Sequence, residues 1–134
     1  MSIWRRSRVI LVAIGIYLAI AALSLVPGDF PIKPTSGWDK LDHTVAYFVV
    51  VAFASVLVSK SRYLIGLGLA TVCYAGILEI GQSFVPGREM SFADFFASTL
   101  GVVLGMGLAS LISIGMKKWA YFLAPPAQER HELS

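Results

Sequence analysis

The chain has 134 residues, of which 57% are hydrophobic and only 14% charged, with a formal net charge of +3 and a mean hydropathy of +0.74. Soluble domains run at roughly 45–50% apolar and about 25% charged, so a small water-exposed fold is excluded. Disorder is excluded too, since its signature is low hydrophobicity. The lone Cys73 allows neither an internal disulfide nor a thiolate metal cluster. Basic residues lie in small groups between apolar runs, a polytopic membrane pattern that implies no nucleic-acid partner.

Four apolar segments follow one another. The first, Val9–Val26, is eighteen residues without a charge, about enough to cross a hydrocarbon core of roughly 30 Å. The second is expected to be helical over 38–58, the third over 63–85 with Glu79 as its one acid, and the fourth over 92–116 with Asp94 near its start. In lipid only helices and closed barrels satisfy every backbone group, and long runs without alternation are helices. The expected architecture is therefore all-α: one integral membrane domain, residues 1–124, of four transmembrane helices. Pro125-Pro126 should end any helical extension, leaving 125–134 as a mobile polar tail. The first segment also has a reading as a signal peptide, with Arg5, Arg6 and Arg8 as its basic region and Ala19-Ile20-Ala21 as a cleavage site. Its apolar run is longer than the usual 7–15 residues, which favours a retained helix.

Basic residues set the expected orientation. With the N-terminus cytoplasmic, the inside carries Arg5, Arg6, Arg8, Lys60, Arg62, Lys117, Lys118 and Arg130, and the outside Lys33, Lys40 and Arg88. Eight against three satisfies the positive-inside rule and places both termini in the cytoplasm of a plasma-membrane protein. Trp4, Trp119, Tyr121 and Phe122 then fall at the inner interface.

With that topology the polar residues of three helices share one depth near the outer interface. Asp39, His43 and Tyr47 recur at i, i+4 at the start of the second helix, and Glu79 and Gln82 at i, i+3 near the end of the third. Asp94 and Ser98 open the fourth. Each has a plainer reading. Ser36-x-x-Asp39 and Ser91-x-x-Asp94 match the capping box, His43 suits an interface, Tyr47 suits packing or an interface, and Pro86-Gly87 fits the centre of a type II turn. Arg88 is either a solvated loop charge or a partner of Glu79 or Asp94. Glu79 is the hardest to dismiss, because an ionisable group in a membrane helix is costly and marks a functional site by default. Even so, a structural pair of Glu79 with Arg88 or His43 stays open. No phosphate loop, His-x-x-x-His or Cys-x-x-Cys pattern is present. With His131 in the tail a multi-histidine site is ruled out, so neither metal nor cofactor is expected. A triad drawn from Ser91, His43 and Asp94 lacks a nucleophile elbow.

Three of these segments carry a family resemblance. Trp38-Asp39-Lys40-Leu41-Asp42-His43 with Tyr47-Phe48, the stretch Glu79-Ile80-Gly81-Gln82-Ser83-Phe84-Val85-Pro86-Gly87-Arg88, and Ser91-Phe92-Ala93-Asp94 followed by Gly101 and Gly105 resemble, in order, the motifs of the VanZ-like family. The match spans about Trp38 to Gly105. Where the family usually has Asn four residues after the Asp, this chain has Ser98, which keeps hydrogen-bonding capacity but not the paired amide donor and acceptor. The resemblance implies a small multi-pass plasma-membrane protein of the cell envelope, in a family named for a member linked to teicoplanin resistance.

Three functions remain open. In the first, Asp39, Lys40, His43, Tyr47, Glu79, Gln82, Arg88, Ser91, Asp94 and Ser98 form a binding site for an envelope lipid, a lipid-linked saccharide or a partner protein. In the second, a membrane-embedded hydrolase or transferase uses Glu79 as general acid or base, with His43 and Asp94 as further catalytic candidates. A transporter coupling protons through Glu79 is a third. Membrane lipids are the expected surroundings. A stripe of small residues on the fourth helix (Ala93, Ala97, Gly101, Gly105, Ala109, Ser113) is expected to contact a helix of the same chain or of a second copy, giving a homo-oligomer in the latter case.

Overall fold

The computed structural model describes residues 3–27, 39–58 and 60–123. Within them lie four α-helices: α1 (Ile3–Ser24), α2 (Asp39–Ala54), α3 (Ser61–Gln82) and α4 (Phe92–Leu123), with a 3-10 turn, Ser55–Leu57, after α2. All four are long and apolar enough to span a membrane. The expected all-helical, four-span architecture is what the chain adopts.

Two helices outrun their sequence-based limits. α1 begins at Ile3 instead of residue 9, and α4 continues to Leu123 instead of residue 116. Arg and Lys are good helix formers, so the basic clusters at Arg5–Arg8 and Lys117-Lys118 do not stop a helix whose apolar stretch they flank. At 1.5 Å per residue the 32 residues of α4 extend about 48 Å, well beyond a hydrocarbon core of roughly 30 Å. The surplus carries Lys117, Lys118, Trp119, Tyr121 and Phe122, residues that anchor a helix at an interface. α2 and α3 are shorter than expected at their C-termini, ending at Ala54 and Gln82. Val58 is extended after the 3-10 turn, and Ser83–Gly87 form turns. The expected tail, 125–134, lies outside the described residues.

Packing is tightest between α2 and α4. Gly101 and Gly105 are buried in that contact. A Cβ at 105 would sit 2.9 Å from Phe48 O and 3.1 Å from Val51 Cβ, while one at 101 would overlap Thr44 O. Without a solvent-driven force between helices in lipid, such close approach lets dispersion and polar contacts hold the pair. The Thr44 hydroxyl adds one, its single hydrogen shared between Lys40 O of its own helix at 2.9 Å and Ala97 O of α4 at 3.1 Å. The small-residue stripe is thus occupied by α2 of the same chain at Gly101 and Gly105, and an oligomer through those two glycines would have to displace α2. Val50, Val51 and Val102 are fully buried and, with Ile20, Tyr47, Ala75 and Leu78, form the core.

α1 is fastened by polar bonds at three levels. The hydroxyls of Tyr17 and Thr71 are hydrogen-bonded, and Tyr74 Oη donates to Tyr17 O. Nearer the end of α1, Gln82 Nε2 donates to Ser24 O at 3.1 Å and Arg88 Nε to Val26 O at 3.0 Å. The C-terminal ends of α1 and α3 therefore lie together, beside the N-terminal ends of α2 and α4.

Candidate functional site

At that end, charged and polar side chains from α2, α3 and α4 converge. His43 and Tyr47, one turn apart on α2, both face inward: the His43 side chain is 14% exposed, and Tyr47 is buried in the core. Glu79 and Gln82 share the buried face of α3, and Asp94 and Ser98 that of α4. The i, i+3 and i, i+4 spacings thus place each pair on one face, as expected. Asp39 opens α2, but its side chain lies outside the described residues.

His43 stands at the centre. Its Nδ1 is 3.2 Å from Ser98 Oγ and 4.0 Å from Glu79 Oε1. Ser98 is completely buried, so the position where the resemblance leads one to expect Asn is in direct contact with the histidine. One ring nitrogen of His43 and one oxygen each of Glu79 and Asp94 all lie within 4.8 Å of one another.

The start of α4 explains why Asp94 is in this group. Ser91 caps the helix, its Oγ accepting from Asp94 N–H at 3.2 Å. In a complete capping box the acid at the third helical position would accept from the cap residue's own N–H. Here that N–H donates to Glu79 Oε2 at 3.1 Å. Glu79, reaching across from α3, does the acid's part of the box and leaves the Asp94 carboxylate for the cluster. Asp94 Oδ1 is buried without a hydrogen-bond partner. Lys40 Nζ lies 3.9 Å from it, too long for a hydrogen bond, on a lysine side chain that is 67% exposed.

The remaining members have local duties. Gln82 and Arg88 hold the end of α1 through Ser24 and Val26. Beside Asp94 stands Lys40, while the Arg88 Nε is engaged on Val26 O, just past α1. Arg88 follows a turn closed by its own N–H to Val85 O at 3.1 Å. Gly87 has φ 72°, the left-handed value that the second central position of a type II turn needs. The Tyr17–Thr71–Tyr74 layer between α1 and α3 was not foreseen from the sequence. Its members are neutral, and Thr71 also bonds locally to Leu67 O, so neither charge nor spacing marks them.

The chemistry open to this group is limited by its geometry. Glu79 and Ser98 both approach Nδ1 of His43. A nucleophile–base–acid relay needs the two nitrogens separately, so Ser98, His43 and Glu79 do not form one. They do form a compact set of oxygen and nitrogen donors around one point.

A family model described as VanZ/LLP1 matches residues 4–113. That is well over half of the chain, which therefore belongs to the VanZ/LLP1 family. No curated protein and no solved structure gives a significant match.

Proposed function

We propose that this VanZ/LLP1-family membrane protein binds the anionic head group of an envelope lipid or lipid-linked saccharide at the polar end of its bundle, on the external face of the plasma membrane. The observation that carries this reading is the state of Asp94. A carboxylate kept only to stabilise the fold is expected to be fully hydrogen-bonded, because a buried unsatisfied charge costs several kcal/mol. Asp94 instead has a buried oxygen with no hydrogen bond beside an exposed lysine that stands off at 3.9 Å. Such a pair is open to a hydroxyl or amine of the head group, which would donate to the free oxygen. Lys40 at the mouth meets a phosphate or carboxylate of the ligand, and His43 and Ser98 beneath it supply hydrogen bonds. The family and the eight-to-three basic bias support the placement, and a link to glycopeptide sensitivity would follow from a ligand in the envelope.

The enzyme reading rests on the Glu79–His43 contact, which provides an acid–base pair at 4.0 Å. Against a nucleophilic mechanism stands the shared use of Nδ1. The test is to purify the full chain in mild detergent from its native membrane and identify co-purifying molecules by mass spectrometry. An anionic lipid enriched with the wild type and depleted with Lys40→Ala supports binding. A chemically altered lipid that accumulates only with active protein supports the enzyme, and the same lipid profile for both proteins refutes the site.

A further inference from the structure

We infer that His43, Glu79 and Asp94 form a binding site for a divalent transition-metal cation, of the class of Mn2+ or Zn2+. Three helices bring one imidazole nitrogen and two carboxylates within 4.8 Å of one another, and Ser98 Oγ stands 3.2 Å from Nδ1 of the same imidazole. A second observation comes from one of the three: Asp94 is 9% exposed, yet its Oδ1 is buried with no hydrogen-bond partner. Two carboxylates this close repel each other in a low-dielectric layer. For Asp94, Lys40 offsets that poorly, with its side chain mostly in solvent and its ammonium outside hydrogen-bond range. A divalent ion would neutralise both acids at once and give the orphaned oxygen a partner.

Donor type and distance fit such an ion. A tetrahedral ion with bonds of about 2.0–2.2 Å sets its ligands about 3.4 Å apart, so the donors need to draw together by roughly 1.4 Å at most. Imidazole with carboxylates suits the borderline ions from Mn2+ to Zn2+ better than Ca2+ or Mg2+, which take oxygen alone. The absence of a second histidine in the bundle argues only against multi-histidine sites; one histidine with two acids needs none. Three protein ligands leave positions for water or for an anionic oxygen. Use of such a position by the head group rests on the function proposed above; the ion itself does not.

The test uses the full chain in detergent and Mn2+ alone. Titration followed by electron paramagnetic resonance should show one Mn2+ removed from the free aqua pool per chain and displaced by Zn2+. The bound ion should show nitrogen modulation in the echo envelope. His43→Ala should abolish that modulation, and Asp94→Asn should weaken binding by at least about tenfold. Asp94→Asn leaves the α4 cap in place, because that bond uses the main-chain N–H. Glu89→Gln, at an exposed residue outside the cluster, should bind as the wild type does. Absence of stoichiometric binding, or binding that neither His43→Ala nor Asp94→Asn weakens, overturns the site, whatever the lipid experiment shows.

Discussion

Gly105 and Gly107 lie two residues apart on α4 and provide a matched test of how the bundle is held. Alanine at either position brings the same gain in helix propensity, so the difference between the two variants reports the helix contact alone. At 105 the new Cβ would meet Phe48 O at 2.9 Å, Val51 Cβ at 3.1 Å and Ala52 N at 3.3 Å, whereas at 107 nothing lies within 4 Å. Two of the three neighbours at 105 are backbone atoms of α2, which cannot rotate away, so the helices must separate locally. Overpacking of this kind costs about 1–3 kcal/mol. Gly105→Ala should therefore be less stable than Gly107→Ala by that amount, measured by equilibrium unfolding in mixed micelles. Gly105→Leu should be worse still, while Val103→Leu, at a position 58% exposed, should stay within about 0.5 kcal/mol of the wild type. Equal stability of the two alanine variants would refute the close α2–α4 contact.

Three further outcomes are expected. Ser91→Ala should lower stability by about 0.5–2 kcal/mol in the same unfolding assay, through loss of the α4 cap. Tyr17→Phe should cost about 0.5–1.5 kcal/mol, and a double-mutant cycle with Thr71→Val should show coupling between the two hydroxyls. Reporter fusions should be active in the cytoplasm at the C-terminus and within residues 59–62, and outside near Pro34; an external C-terminus would contradict the proposed orientation.

Much of the fold was legible because membrane spans are written in long uncharged runs. The face-sharing of His43 with Tyr47 and of Glu79 with Gln82 was legible because helical spacing alone determines it. What helix periodicity does not encode is which partner a side chain meets across the bundle. Arg88 and Lys40 are both cations close in sequence to acids, yet Lys40 stands beside Asp94 while Arg88 binds the carbonyl of Val26, two residues past α1. The Ser91-x-x-Asp94 pattern marked the helix start correctly but not the exchange by which Glu79 takes over the bond to the cap. The stripe on α4 announced a contact without naming α2. Helix ends were misjudged where basic residues continue a helix into the interface.

Glu79 joins the fold to the proposed function, since it both completes the α4 cap and faces His43. Glu79→Gln keeps an acceptor for Ser91 N–H and nearly the same volume while removing the charge. The decisive measurement is the amount of anionic lipid retained per chain by Glu79→Gln relative to the wild type, with helicity and elution volume confirming that the variant is folded. A folded variant that has lost its lipid is the predicted result. A folded variant carrying the full wild-type complement would contradict a charge-dependent binding site at the polar end of the bundle.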